Sequence, residues 1–331
     1  MATTFVLLGE PDLPSLARLD PDRDWREFVT GERAWILQTY LRLRTLGLEV
    51  QLAGALPSDG TAVFHTKQRR ALLRQLPSAT DALLVGTRGD LGEALIADLE
   101  VVQNPAQSDD SRRFHLPHWP QPGLLPRDTG RGTALENIAF KGFLGNLHSG
   151  FREPAWAQFL TAHGLRWLSD ATDYRRDGAI DAAALDWNDF RTVDLVVAVR
   201  SPDARLHPRK PATKLYNAWH AGVPALLGPE TAYRDLRRSS LDFIEVATPT
   251  EARAAIERLC AEPQLYAAMV ANGRERARDF SVAAIAARWQ QFLGDTAPAL
   301  AQRPDVTRWR GRSLRAKELS RRALRALGLW R

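Results

Sequence analysis

Short apolar runs alternate with amphipathic stretches over the first hundred residues. Ile36, Leu37, Tyr40 and Leu41 recur at helical spacing, and Gly47 follows them at the position where glycine commonly ends a helix. Strands that alternate with helices predict a parallel, doubly wound sheet of the α/β class. The predicted strands of this half are 3–8, 48–53, 62–64, 82–85 and, as the last of them, 99–102. A further helix is predicted over 68–76.

Proline changes the pattern between residues 114 and 131. This stretch holds too much proline for a helix or a central strand, so we interpret it as the connection between two domains. Trp119 is expected to pack into a core here. His115 and His118 flank a proline, and their residue type is compatible both with substrate contact at the hinge and with packing.

The alternation of strands and helices restarts after residue 135. Thr248, Pro249 and Glu251 form a capping box with proline at the first helical position, which predicts a helix start. Ile285, Trp289 and Phe292 share one face of the helical region that follows, up to residue 293. The predicted strands of this half are 137–140, 165–168, 195–199, 223–227 and 243–246, and two of its helices are predicted over 154–163 and 213–221.

Two open sheets of this kind leave a cleft at the carboxyl ends of their strands, where helix N-termini and glycine loops hold anions. Gly142 and Gly145 follow the first strand of the second half, and Lys214 lies in the first turn of the helix over 213–221. Arg209 and Lys210 add two cations just before that helix. A diphosphate site is one interpretation, and a solvated basic loop is the other.

Residues 214–230, KLYNAWHAGVPALLGPE, resemble the donor-site signature of GT-B glycosyltransferases of the family 4-like group. The stretch on to residue 246 is also similar to the donor domain of α1,3-fucosyltransferases. The resemblance implies two Rossmann-like domains that face a cleft, with an acceptor-side domain over 1–134, a nucleotide-sugar donor domain over 135–295 and a basic tail over 296–331. It implies that Lys214 contacts the diphosphate and that Glu230 or Tyr233 approaches the sugar or ribose. The donor-binding residues expected from this comparison and from the loops around it are Gly142, Gly145, Arg200, Arg209, Lys210, Lys214, Asn217, Glu230 and Tyr233.

The sequence departs from both groups at the positions of their acidic residues. Arg209 and Asn217 stand where the common retaining enzymes carry a pair of glutamates, and Thr213 stands where the fucosyltransferases carry one. The missing pair favours inversion over retention, and it leaves the donor and the stereochemistry open.

An inverting transferase needs a general base from the acceptor side. The sequence offers His65, which follows the strand over 62–64, and Asp12 in the first polar loop. A structural role for His65 is the alternative.

No cofactor and no metal are expected. Asp20, Asp22 and Asp24 have the Asp-x-Asp spacing of cation-dependent transferases, but they lie in a proline-containing loop rather than directly after a buried strand. The glycine-lysine signatures of nucleotide-binding kinases and ATPases are absent from the sequence. The one cysteine, Cys260, excludes a disulfide within the chain, fits a cytoplasmic protein and is expected to be buried in a helix.

The net charge of +6 comes from the tail. Residues 296–331 hold nine arginines and one lysine against two acidic residues, a surplus of +8 that leaves −2 for the rest of the chain. The leucines and tryptophans among these arginines favour either an amphipathic helix on an anionic membrane surface or a helix that packs back on the body. Nucleic-acid binding by the tail is a further alternative, and a nucleic-acid partner is not expected for the body.

The expected function is therefore transfer of a hexosyl or deoxyhexosyl group from a nucleotide-diphosphate sugar to a glycan or lipid-linked acceptor, in polysaccharide biosynthesis. A cytoplasmic location is expected, with peripheral contact to the inner face of the cell membrane as an option. Two alternatives share the fold: a catalytically silent nucleotide- or sugar-binding protein, and a nucleotide-sugar 2-epimerase.

Overall fold

The first half of the chain forms one six-stranded parallel sheet. A computed structural model describes residues 1–75, 80–94, 96–169, 175–176, 179–180, 185–201 and 207–302. The sheet has the strand order β2-β1-β3-β4-β5-β6, and every pairing is parallel. Its strands are β1 (Thr3–Val6), β2 (Val50–Ala53), β3 (Thr61–His65), β4 (Leu83–Thr87), β5 (Leu99–Val102) and β6 (Arg113–His115). Its helices are α1 (Leu13–Leu16), α2 (Gln38–Thr45), which continues a π-helical turn over Arg33–Leu37, and α3 (Arg69–Gln75).

The second half forms a five-stranded parallel sheet of the order β13-β12-β11-β7-β8. Its strands are β7 (Asn137–Phe140), β8 (Arg166–Ser169), β11 (Leu195–Ala198), β12 (Ala225–Leu227) and β13 (Ile244–Glu245), and β9 (Arg175–Arg176) pairs with β10 (Ala179–Ile180) in a separate hairpin. Its helices are α4 (Pro154–Ala162), α5 (Thr213–Ala221), α6 (Thr231–Leu236), α7 (Pro249–Ala261), α8 (Pro263–Ala277), α9 (Val282–Gln291) and α10 (Ala297–Ala301). The predicted α/β class with two doubly wound sheets is confirmed. In the described parts of the chain, no helix has the length and apolarity that crossing a bilayer requires.

Two expectations from the sequence are wrong. Strand 99–102 is not the last of its sheet, because Arg113–His115 adds β6 at the edge. An edge strand of three residues pairs on one side only and is too short to show an alternating pattern. Cys260 lies on α7 as expected but is exposed, because this helix buries Ala252, Ala255, Ile256 and Leu259 instead.

The connection between the sheets is fastened to both of them. The buried Trp119 donates from Nε1 to Thr39 Oγ1 at 2.8 Å, and the amide of Gly123 donates to Asp22 Oδ1 at 2.9 Å. Asp22 also pairs with the Arg42 guanidinium at 2.8 Å, so this acidic loop holds the connection in place. On the other side, the amide of Gln121 donates to Asn217 Oδ1 on α5 at 2.9 Å.

The last helices return to the first sheet. Ile285, Trp289 and Phe292 are buried against the core of that sheet, and the Trp289 and Phe5 ring centroids lie 6.2 Å apart. The predicted shared face of this helix is therefore the face that it buries. The strands of the two sheets lie on either side of residue 134, and the exact domain limits stay a prediction. Residues 303–331 of the predicted tail lie outside the described residues.

Replacing Trp289 with alanine tests this docking. Because the indole is 3% exposed and fills the space between α9 and the first sheet, its loss should lower the free energy of unfolding by about 3–5 kcal/mol. Urea unfolding followed by circular dichroism measures the change. Gln290→Ala, at an exposed position of the same helix, is the control. A loss below about 1 kcal/mol for Trp289→Ala would show that α9 does not stabilise the fold in this way.

Candidate functional site

A cavity of about 310 Å³ opens between the two sheets. It lies near the carboxyl ends of β4, β7 and β11, where loops from both halves meet. The size suits a small organic ligand. Its lining from the first half and the connection includes Phe28, Trp35, Gln38, Asp90, His118, Trp119 and Gln121, and its lining from the second half includes Lys141, Gly142, Phe143, Asn146, Trp187, Arg200, Lys210, Lys214, Asn217 and Tyr233.

Lys214 reaches this cavity from the first turn of α5. Its ammonium donates a short hydrogen bond to the carbonyl oxygen of Lys141 and lies 5.0 Å from the centroid of the Phe140 ring. Gly142 has a φ of +153°, and a Cβ at that position would lie 2.6 Å from Lys214 Nζ. The glycine is therefore required for the ammonium to occupy the place it has.

The surroundings of Lys214 disfavour its charge. Burial, together with the neighbouring charge of Arg200, lowers the pKa of Lys214 to about 7, whereas Glu230 acts in the opposite direction. Burial of an ammonium is costly unless an opposite charge compensates it. A bound anion would supply that compensation.

Arg200 and Glu230 form a second charged group beside Lys214. Arg200 Nε donates to Glu230 Oε1 at 3.1 Å, and Arg200 Nη1 donates to Asn146 Oδ1. Glu230 is 3% exposed, and among the described residues its Oε2 has no hydrogen-bond partner. Burial raises the pKa of Glu230, although Arg200 and Lys214 partly counteract this.

The sequence matches no known protein family and no curated protein. Solved structures do match. TarM aligns with 78% of this chain at a TM-score of 0.51 and 9% identity, and the chain spans 58% of the length of TarM. The likeness to this GT-B protein, together with two parallel sheets around a cavity, decides the architecture.

The chain has the GT-B fold. HepE from Anabaena, in complex with UDP, matches 89% of this chain and 100% of its own at a TM-score of 0.49 and 14% identity. Sucrose-phosphate synthase from Thermosynechococcus elongatus matches 80% of this chain and 72% of its own at a TM-score of 0.48 and 14% identity. At such identities the likeness concerns the fold alone.

The GT-B cleft gathers part of the donor-site residues expected from the sequence. Gly142, Arg200, Lys210, Lys214, Asn217 and Tyr233 line the cavity, whereas Gly145, Arg209 and Glu230 do not. Glu230 lies behind Arg200, and Arg209 lies beside Gly92 of the first half. Asn217 accepts the amide of Gln121 and so holds the connection beside the cavity. The donor-binding roles of these residues stay predictions.

His65 ends β3 but does not line the cavity. Its ring lies between Gly31 and Gly89, where an added Cβ would come within 3.0 and 3.1 Å of it, respectively. Burial lowers the pKa of His65 to about 4, and neither ring nitrogen has a hydrogen-bond partner among the described residues. Asp12 caps α1 by accepting the Ser15 amide at 3.0 Å, and it does not line the cavity either. Their catalytic roles stay predictions that this placement does not favour.

The two histidines of the connection differ. His118 lines the cavity and packs edge-on against Trp35, and its Nδ1 lies 2.7 Å from the Trp119 carbonyl oxygen. His115 lies on β6, outside the cavity. Burial lowers the pKa of both histidines to about 4, so both are neutral at physiological pH.

Asp90, Lys141 and Trp187 are among the cavity residues that sequence reasoning did not find. Asp90 forms a short ion pair with Lys210, Lys141 pairs with Asp186 at 2.6 Å, and Trp187 packs edge-on against Phe143. The rule that led to His65, a chemically capable residue just after a buried strand, also points to Asp90, which follows β4 by three positions. Trp187 comes from a segment with no regular pattern, so no sequence signal pointed to it.

The pKa of Lys214 predicts a pH dependence of folding. The folded-state pKa of about 7 lies below the ordinary lysine value of 10.5, so the unfolded chain binds more protons between these values. The contribution of Lys214 to the free energy of unfolding therefore rises as pH rises through them. Lys214→Met removes this gain. We subtract the free energy of unfolding of the wild type from that of Lys214→Met. We expect this difference to fall as the pH rises from 7 to 10. Urea unfolding across this range measures it, and a constant difference would show that Lys214 is not desolvated.

Proposed function

We propose that this GT-B protein transfers a sugar from a nucleotide-diphosphate sugar to a glycan or lipid-linked acceptor. The observation that carries the proposal is the Lys214 ammonium. It is partly buried in the cavity between the sheets, lies at the N-terminus of α5 and bonds only a carbonyl oxygen among the described residues. A diphosphate is the ligand that such a group fits best.

The start of α5 favours an anion for a second reason. A lysine in the first turn opposes the positive end of the helix dipole, at a cost of about 0.3–1 kcal/mol, and an anion bound there removes the conflict. The amides of Leu215 and Tyr216 donate to the Ala212 carbonyl oxygen, but those of Thr213 and Lys214 precede the first intrahelical bond and point towards the same end of the helix. Lys214, Arg200 and Lys210 would then neutralise the negative charge that develops on the departing nucleoside diphosphate.

These cations take the role that a divalent metal has in other transferases. We therefore propose a metal-independent reaction without a cofactor, with a hexosyl or deoxyhexosyl group as the transferred sugar and polysaccharide biosynthesis as its setting. Transfer that continues unchanged in excess EDTA supports this part of the proposal, whereas transfer restored only by Mg²⁺ or Mn²⁺ contradicts it.

Lys214→Ala tests the diphosphate site. A charge-assisted hydrogen bond contributes about 1.5–3 kcal/mol, so the loss of this ammonium should weaken nucleoside diphosphate binding about 10- to 100-fold. Isothermal titration with UDP, GDP and dTDP measures the change, and the corresponding nucleosides should show no such loss. Lys67→Ala, which removes an exposed lysine outside the cavity, is the matched control. Unchanged diphosphate affinity in Lys214→Ala would refute the site.

One panel separates the proposed transfer from its alternatives. The protein is incubated with UDP-, GDP- and dTDP-sugars, and donor hydrolysis, transfer, sugar isomerisation and thermal shift are followed together. Transfer or hydrolysis supports the proposal. Thermal shift without turnover supports the silent binding protein, and a product with an altered C2 configuration supports the 2-epimerase.

We also propose a cytoplasmic protein whose tail contacts an anionic membrane surface and brings it to a lipid-linked acceptor. The basis is the charge surplus of residues 296–331, since each basic residue near such a surface contributes about 1 kcal/mol.

A chain that ends at Gln302 tests the role of the tail. The full chain should co-sediment with phosphatidylglycerol vesicles at low salt but not with phosphatidylcholine vesicles, and the shortened chain should stay in solution. High salt should release the full chain, because the attraction is electrostatic. Equal sedimentation of both chains, or binding of the full chain to DNA but not to vesicles, would contradict the membrane role.

A further inference from the structure

Asp90 is the only carboxylate among the described residues that line the cavity. It reaches the cavity from the first half, opposite the arginine and lysines of the second half. His118 is the one histidine in the same described lining, and its Nδ1 lies 2.7 Å from a carbonyl oxygen. Asp90 is thus the one negatively charged group that this lining presents to an acceptor hydroxyl from the first half.

A tight turn fixes Asp90 in this position. The Arg88 amide donates to the Val101 carbonyl oxygen at 3.0 Å, and the Leu91 amide donates to the Arg88 carbonyl oxygen at 3.0 Å. The Arg88 guanidinium is buried 3.5 Å from the Glu100 carboxylate. Gly89 has a φ of +60°, and an added Cβ there would lie 3.0 Å from Trp35 Nε1, so the turn requires glycine.

Lys210 binds this carboxylate from the opposite side of the cleft. The Lys210 and Asp90 side chains are 28% and 45% exposed, so a ligand can reach both members of the pair. Lys210 precedes α5 by three residues, and its charge contributes to lowering the pKa of Lys214. It therefore lies within electrostatic reach of the place proposed for the diphosphate.

The ion pair keeps Asp90 weakly basic. Burial raises the pKa of Asp90, but the hydrogen bond and charge of Lys210 outweigh it and hold that pKa below its usual range. A carboxylate that has lost its lysine partner in a partly desolvated cleft is a stronger base. A group that attracts Lys210 away from Asp90 would therefore increase the ability of the Asp90 carboxylate to accept a proton.

We propose that Asp90 is the catalytic base of this protein and that Lys210 keeps it paired until a donor diphosphate attracts the lysine. The inference rests on the proposed function. In the step itself, the acceptor hydroxyl oxygen forms a bond to the anomeric carbon while the bond from that carbon to the diphosphate oxygen breaks. The electron pair of the broken bond leaves with the nucleoside diphosphate, and the hydroxyl proton passes to Asp90. This single displacement inverts the anomeric configuration.

Asp90→Asn tests the base directly. General base catalysis raises a reaction rate by about 100- to 10,000-fold, so kcat for transfer should fall at least 100-fold. The asparagine side chain keeps the shape of the aspartate side chain but cannot accept the proton. NMR of the wild-type product should show the inverted anomer. Asp59→Asn, an exposed carboxylate of the same half that lies outside the cavity, should keep its kcat within 3-fold. A kcat for Asp90→Asn within 3-fold of wild type, or a retained anomer, overturns the proposal.

Pyrophosphate binding tests the switch without any need for turnover. Because Asp90 competes with the anion for Lys210, Asp90→Asn should tighten pyrophosphate binding several-fold in isothermal titration. In a protein that already carries Lys210→Met, adding Asp90→Asn should no longer tighten pyrophosphate binding. A merely structural role of Asp90 would not produce this coupling between the two substitutions. The proposed exchange of Lys210 from Asp90 to the anion is overturned if Asp90→Asn leaves pyrophosphate binding unchanged, or if it tightens binding equally in the Lys210→Met background. Either result leaves the proposed function standing. Failure of the wild type to bind pyrophosphate overturns the proposed function and this inference with it.

Discussion

The cavity between the sheets holds more positive charge than the protein neutralises, and this imbalance governs the site. Among the described residues that line it, three cations have carboxylate partners and Lys214 has a carbonyl oxygen. A desolvated ammonium without a counter-charge is unfavourable, so the site favours a ligand that brings negative charge. The paired cations are Lys141 with Asp186, Arg200 with Glu230 and Lys210 with Asp90.

The position of Lys214 depends on two glycines. Gly142 leaves space for the ammonium, and the αL residue Gly222 ends α5 so that the chain can enter β12. Opposite them, the turn at Gly89 carries Asp90 into the same space. Since these groups come from two different sheets, their function requires that the sheets keep a fixed relation.

That relation is maintained by the connection and by the last helices. The connection is bonded to Asp22 and Thr39 of the first half and to Asn217 of the second, and α9 carries the chain back onto the core of the first sheet. The Lys210–Asp90 pair adds a contact across the cleft itself, and both of its members are partly exposed, so a ligand in the cleft can reach them. Under the proposed function, exchange of this pair would let donor binding prepare the acceptor side.

The sequence by itself determined the α/β class, every strand of the two large sheets except β6, and the approach of Lys214 to a cleft, because buried parallel strands, helix caps and glycine ends are local patterns. It did not reveal β6, which has too few residues for a pattern, or the exposure of Cys260, which the packing of α7 decides. Only the tertiary structure placed Asp90 opposite Lys210 while burying His65 outside the cavity, since these residues are far apart in the chain and their relation arises when two sheets come together. Strand-end position shows which residues can reach a cleft, whereas the packing above them decides which ones do.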